Sequence, residues 1–297
     1  MKQINLIALA MLLFVSASFA QNKMLTIDDI FSLDSKVRVN FGGMPTRFAW
    51  SADGRSFRQM KSGSLVRVDP ANGNATPYLD STKFKTALEQ SGMSTEDAGR
   101  MSNSLGLQFN ESETAILVTN KNDLWYYDVA SGVLKRLTNT KEEELEADFS
   151  PDGKWISFVR GNNLFIVDVA RARERQLTRD GGEKIYNGYL DWVYEEELYG
   201  RGQKRGYWWS PDSKSIAFLR LDESPVPKFV LTNDIVDNQV VENTDYPQAG
   251  DPNPLVRVGI ASVGATAPAR TARPLCSRLS IASRHILISS LPISLEK

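Results

Sequence analysis

Asp191-Trp192-Val193-Tyr194-Glu195-Glu196-Glu197 sets three consecutive carboxylates behind two large aromatic side chains. Adjacent like charges repel, and any desolvation raises the cost of keeping them ionised. An exposed acidic run is ordinary. One tied to Trp192 and Tyr194 is held in a fixed place, and fixed, clustered carboxylates call for a cation. Asp191 is placed to cap a short helix, its side-chain oxygen accepting from backbone N–H groups two or three residues on, and Gly200 is a natural stop. Neighbours on a helix point about 100° apart, so no more than two of the three glutamates converge on one ligand atom. A primary ammonium carries three donors and a full charge, and two carboxylates can each accept a charge-assisted bond from it. The pattern predicts selection of a free amino terminus.

The rest of the chemical vocabulary is sparse. The chain has 297 residues, one cysteine (Cys276) and one histidine (His285). No internal disulfide, no Cys-rich or His-rich metal site and no cofactor is expected. A formal net charge of −1 gives no basic field for nucleic acid. Lys141-Glu142-Glu143-Glu144-Leu145-Glu146 reads as a solvated loop, because it lacks aromatic anchors. Arg171, Arg173 and Arg175 read as one solvent-facing edge, and Trp208-Trp209 as sheet core. Asp152-Gly153 and Asp212-Ser213 lack the ligand spacing of a calcium loop and read as turns.

The elements that must position the acidic motif come from an internal repeat. Asp123 to Ala130 falls on Asn163 to Ala170 at an offset of 40 residues, and Leu137-Thr138 on Leu177-Thr178. Phe149-Ser150-Pro151-Asp152-Gly153-Lys154 recurs as Trp209-Ser210-Pro211-Asp212-Ser213-Lys214, and a weaker copy begins at Trp50-Ser51-Ala52-Asp53-Gly54. Each unit alternates turn signals with short β-branched and aromatic runs. Short strands at a period of about 40 residues predict the blades of an all-β propeller, with starts near 50, 109, 149 and 209. Two segments break the period. Thr82 to Met101 reads as helical, with Phe84, Leu88 and Met93 apolar. Between Thr178 and Trp209 about 20 residues are inserted relative to the repeat, and the acidic motif lies in that insertion. Insertions project from a scaffold and carry function more often than strands do.

The ends differ in kind. Lys2, the apolar stretch Ile4 to Val15 and the small residues around Ser18-Phe19-Ala20 read as a signal peptide over 1–20, so export to a bacterial periplasm or beyond is expected, with no membrane association after cleavage. Residues 21–259 read as an incomplete propeller, about four blades. From 260 to 297 the composition shifts, with Arg270, Arg273, Arg278 and Arg284 against a single acid, Glu296. That stretch is expected to be non-native or frameshifted; a genuine basic tail that binds a partner is the alternative.

The motifs resemble a known family. Asp-Trp-Val-Tyr-Glu-Glu-Glu at 191–197, followed by Gly206-Tyr207-Trp208-Trp209-Ser210-Pro211, looks like the N-terminal propeller domain of the dipeptidyl peptidase IV family, in the prolyl oligopeptidase clan. Leu221-Asp222-Glu223-Ser224-Pro225-Val226-Pro227 and Tyr246-Pro247-Gln248-Ala249-Gly250-Asp251-Pro252-Asn253-Pro254 follow in the family's order. The resemblance implies an exported serine exopeptidase that removes dipeptides from free N-termini, built as an eight-bladed propeller followed by an α/β-hydrolase domain, with a possible homodimer. It implies that Glu196 and Glu197, the second and third glutamates, bind the substrate ammonium, while Glu195 does not and Asp191, Trp192 and Tyr194 support them. The family's carbonyl-binding arginine has no motif that places it here. The sequence also departs from the family. No Gly-x-Ser-x-Gly nucleophile elbow occurs in it, and His285 has no triad partner, so no residue is expected to be catalytic. A stand-alone propeller that binds peptides or proteins without catalysis stays open as the second reading.

Overall fold

The computed structural model describes residues 26–32, 34, 47–51, 54–62, 64–200, 202–233, 240–264 and 270–271. The expected signal peptide, Cys276, His285 and most of the 260–297 stretch lie outside them. The chain divides into two compact units, 1–46 and 47–297. In the first, the described residues form one short helix, α1 (Ile27–Phe31).

The second unit is built from antiparallel sheets in sequence order. β1 (Phe48–Trp50), β2 (Phe57–Lys61), β3 (Ser64–Val68) and β4 (Ala75–Pro77) form the first. Helices α2 (Ser81–Gln90) and α3 (Thr95–Ser102) follow, where the sequence predicts one helical segment. Gly92, at φ +84, separates them in a backbone conformation that side chains disfavour. β5 (Gln108–Phe109), β6 (Ala115–Asn120), β7 (Asp123–Asp128) and β8 (Leu134–Arg136) form the second sheet. β9 (Leu145–Phe149), β10 (Trp155–Arg160), β11 (Asn163–Asp168) and β12 (Arg173–Gln176) form the third. β7 and β11 start and end 40 residues apart, as the repeat predicts.

The repeat is visible in the turn chemistry. At Ser150 the hydroxyl accepts from the Trp155 N–H at 3.0 Å and donates to Asp152 Oδ1 at 2.7 Å. At Ser210 the hydroxyl accepts from the Ser215 N–H at 3.0 Å and donates to Asp212 Oδ1 at 2.6 Å. These side chains satisfy backbone donors that no strand partner reaches.

The fourth sheet is irregular. β15 (Ser215–Asp222) carries β14 (Tyr207–Trp209) and then β13 (Ile185–Asn187) along one edge, and β18 (Leu255–Ser262) along the other, with β19 (Arg270–Thr271) beyond. β16 (Lys228–Asn233) and β17 (Val240–Asp245) form a separate two-stranded hairpin between β15 and β18. β18 runs through position 260, where the composition shift begins, and Ala261 and Val263 are buried in the core.

Strand periodicity assigns the core. Side chains alternate between faces of a strand. From β6, Ile116 and Val118 pack with Phe84 and Leu88 of α2 and with Tyr127. Ala115 and Leu117 pack instead with Phe149, Ile156 and Phe158 of the third sheet. From β11, Val167 faces that same layer, while Leu164 and Ile166 join Tyr207, Ile216 and Phe218 of the fourth. Each middle sheet therefore buries both faces.

Two expectations are corrected. Glu144 is buried rather than solvated: its carboxylate accepts from Thr138 Oγ1 at 2.5 Å and pairs with Arg160 Nη1 at 3.0 Å. Arg175 does not stand on a solvent edge, because its guanidinium donates to the Val263 carbonyl and ties the third sheet to the fourth. Trp209 packs in the core layer as expected, its indole N–H donating to Ser157 Oγ at 2.8 Å.

Gly259 pairs across β18–β15 with Phe218, and a Cβ there would meet the Phe218 ring inside van der Waals contact. Phe218 is fully buried. Gly259→Ala is expected to destabilise the chain by about 1–3 kcal/mol, as overpacking does, read as a lower denaturant midpoint. Adding Phe218→Leu should recover part of the loss.

Candidate functional site

The acidic motif sits between β13 and β14 and packs on the fourth sheet. Leu190 joins Leu219 and Leu221 in a buried cluster, with Tyr186, Tyr194 and Trp208 packed against it. Asp191 caps the turn as its position predicts. Its Oδ1 accepts from the Tyr194 N–H at 3.0 Å, and its carbonyl accepts from the Glu195 N–H at 2.9 Å. The turn itself, Tyr194–Tyr199, is π-helical rather than α-helical, and Gly200 ends it at φ +92. Such wider turns are rare and recur at functional sites.

The three glutamates meet different surroundings. The Glu195 side chain is 15% exposed and pairs with Lys204 Nζ at 3.5 Å. Glu196 is partly buried and Glu197 is exposed. Trp192 lies against Tyr246 with ring centroids 4.6 Å apart, and Tyr246 in turn against Phe229 at 5.6 Å. The motif at 191–197 and the motif at 246–254 are thus one packed unit, joined by aromatic contact at the base of the β16–β17 hairpin. Tyr199 lies 6.5 Å from Trp208.

Behind the turn lies charge that sequence reasoning did not single out. Arg205 pairs with Asp148. Burial pushes the Glu146 carboxyl upward, while Arg205 and Lys204 pull it down. Lys204 also lies 6.0 Å from the Tyr189 ring. On the other side, Asp191 and Glu223 are both buried, and Lys184 pairs with Asp245. Burial raises the Asp191 carboxyl, against the pull of the Tyr194 N–H. Glu223 lies in the 221–227 motif, but nothing in its spacing signals that it turns inward. Among the described residues, no group of three or more His, Cys, Asp or Glu is arranged to hold a metal ion. None of their helices is long and apolar enough to cross a membrane.

Antiparallel sheets packed face to face, with an aromatic-anchored acidic turn inserted between strands, define an all-β domain. The model of the dipeptidyl peptidase IV N-terminal region matches residues 107–288, and the chain belongs to that family. It is similar to the probable dipeptidyl-aminopeptidase B of Talaromyces stipitatus, 34% identical over 156 residues, covering 48% of this chain and 17% of that protein. It is likewise similar to the dipeptidyl-aminopeptidase B of Aspergillus niger, 34% identical over 146 residues, covering 44% of this chain and 16% of that protein. The crystal structure of Porphyromonas gingivalis dipeptidyl peptidase 4 superposes with a TM-score of 0.59 at 25% identity, covering 76% of this chain and 32% of that one. The chain therefore spans about a sixth of the length of these two curated relatives. They are fungal while the solved structure is bacterial, so the comparisons do not single out a bacterial source.

Trp192 is the contact that joins the turn to Tyr246. Trp192→Ala is expected to speed amide exchange across 194–199 by at least two- to tenfold, the loss of an aromatic pair worth about 0.5–1.5 kcal/mol. Exchange in β10 and β11 should not change. Equal loosening of both regions would show that the ring supports the whole domain rather than the turn.

Proposed function

We propose that the 191–200 turn binds the free α-ammonium of a peptide, with Glu196 and Glu197 as its ligands, in the N-terminal propeller region of an exported dipeptidyl aminopeptidase. In this reading the four main sheets are blades, residues 1–20 direct export, and the insertion between β13 and β14 reaches toward the substrate. Peptide-bond cleavage belongs to a hydrolase domain of the kind the family carries, and the propeller supplies recognition and distance. The carrying observation is the unequal treatment of the three glutamates. Lys204 pairs with Glu195, Glu196 is partly buried like Glu195, and Glu197 is exposed, all on a capped, ring-anchored turn. An ammonium can then bridge two carboxylates without contest from a third. Support also comes from the relatives, which are named as dipeptidyl-aminopeptidases.

The test is a titration of this chain with Gly-Pro and with N-acetyl-Gly-Pro. Gly-Pro should bind and the acetylated peptide should not. Glu196→Gln and Glu197→Gln should each weaken binding by about 10- to 100-fold, the worth of a hydrogen bond to a charged group. Glu195→Gln should change it less than either. Equal affinity for the acetylated peptide would remove the ammonium from the reading.

A further inference from the structure

Asp191 and Glu223 are 3% and 4% exposed. Each keeps one carboxylate oxygen, Asp191 Oδ2 and Glu223 Oε2, buried and without a hydrogen-bond partner among the described residues. The backbone holds both in place: Glu223 N–H donates to the Lys184 carbonyl at 2.8 Å, and its own carbonyl accepts from Val226 N–H at 2.9 Å. Asp191 spends its other oxygen on the cap of the acidic turn. The groups facing Glu223 are Tyr186 on β13, Asp191 at the cap, Asp245 at the end of β17, and Lys184. Lys184 is already paired with Asp245, and among the described residues no ion pair reaches Asp191 or Glu223. Two buried carboxylates without a counter-charge cannot both stay ionised, and one proton between them relieves the repulsion.

We propose that Glu223 is a positioning residue for the acidic turn: protonated, it leaves Asp191 free to hold its charge at the cap, and ionised, it sets two carboxylates against each other and releases the turn. The Glu223 carboxyl is pushed up to about 7 by burial, with Asp191 and Asp245 adding to the rise and Tyr186 and Lys184 opposing it. The sign follows. A carboxyl raised in the closed form favours that form at low pH, and the advantage fades as pH rises toward the raised value. Any consequence for ammonium binding rests on the function proposed above; the effect on the turn does not.

The experiment is amide exchange at 194–199 in the full chain between pH 5 and 8, corrected for the intrinsic rate, with Gly-Pro titrated into the same samples. Protection should fall by up to about tenfold per pH unit from roughly pH 5 toward 7 and then level off. Glu223→Gln should abolish the slope and keep the turn protected at every pH. Tyr186→Phe, which leaves the acid in place, should move the levelling-off to higher pH, and it carries the test if the Gln variant does not fold. A flat profile in the unmodified chain, a slope shared equally by β10 and β11, or a slope that survives Glu223→Gln would each overturn the proposal. If the slope appears and Gly-Pro does not bind, the ammonium reading fails and Glu223 stands. If Gly-Pro binds and the profile is flat, Glu223 fails and the ammonium reading stands.

Discussion

Every middle sheet in this chain buries both of its faces. β6 gives Ile116 and Val118 to one neighbour and Ala115 and Leu117 to the other, and β10 and β11 do the same one repeat later. A two-faced apolar sheet has no solvent side on which to place chemistry, and a polar substitution on either face is costly unless it finds a partner, as Ser157 does in Trp209. Function is thereby forced out of the strands and into what connects them. The period lengthens where it can do so without disturbing the alternation, and the acidic motif occupies that extra length. The fourth sheet accommodates it by sharing one edge of β15 between β14 and β13, so that the insertion leaves and returns on the same side.

Once outside the sheet, the turn needs anchors of its own. Three are visible: the Asp191 cap, the Tyr194 contact with the Leu190 cluster, and the Trp192–Tyr246 ring pair. The last explains why two motifs separated by some fifty residues belong together. The β16–β17 hairpin carries Tyr246 back from its excursion and sets it on the ring that opens the acidic motif. A short turn of polar residues would not hold a single geometry by backbone hydrogen bonds alone, since isolated helical turns are marginal in water.

Much of this was legible in the residues. The 40-residue offset, the Ser-Pro-Asp turns, the helical break near Phe84 and Leu88 and the capping role of Asp191 all rest on local patterns that physics reads the same way in any context. What escaped depends on distant pairing. Glu144 looked like part of a charged loop because its partners, Thr138 and Arg160, reach it through the pairing of β9 with β10 and the close of the second sheet. Arg175 looked exposed because the Val263 carbonyl it serves lies 88 residues away. Glu223 sits between Asp222 and Ser224 like any turn residue, and its burial depends on the pairing of β13 with the end of β15, continued by the hydrogen bond from the Glu223 N–H to the Lys184 carbonyl. The π-helical winding was not legible either, since six residues carry no period.

On the proposed reading, the Lys204–Glu195 pair is a weak contact that decides a site. An ion pair with a 43% exposed lysine contributes about 0–1 kcal/mol to stability. Its effect on a ligand is larger than its effect on the fold. Two unit charges about 4 Å apart interact by about 4 kcal/mol near a protein surface, so an uncompensated Glu195 would compete for any cation that approached its neighbours. Compensated by Lys204, it no longer does. On the opposite side, a neutral Glu223 would keep Asp191 from being expelled without adding a second buried charge. An amine site assembled from three adjacent glutamates and one buried aspartate works, on the proposed reading, only if some of that negative charge is cancelled where it would misdirect. On that reading the cancelling groups, Lys204 and a Glu223 proton, lie outside the motif that would do the binding.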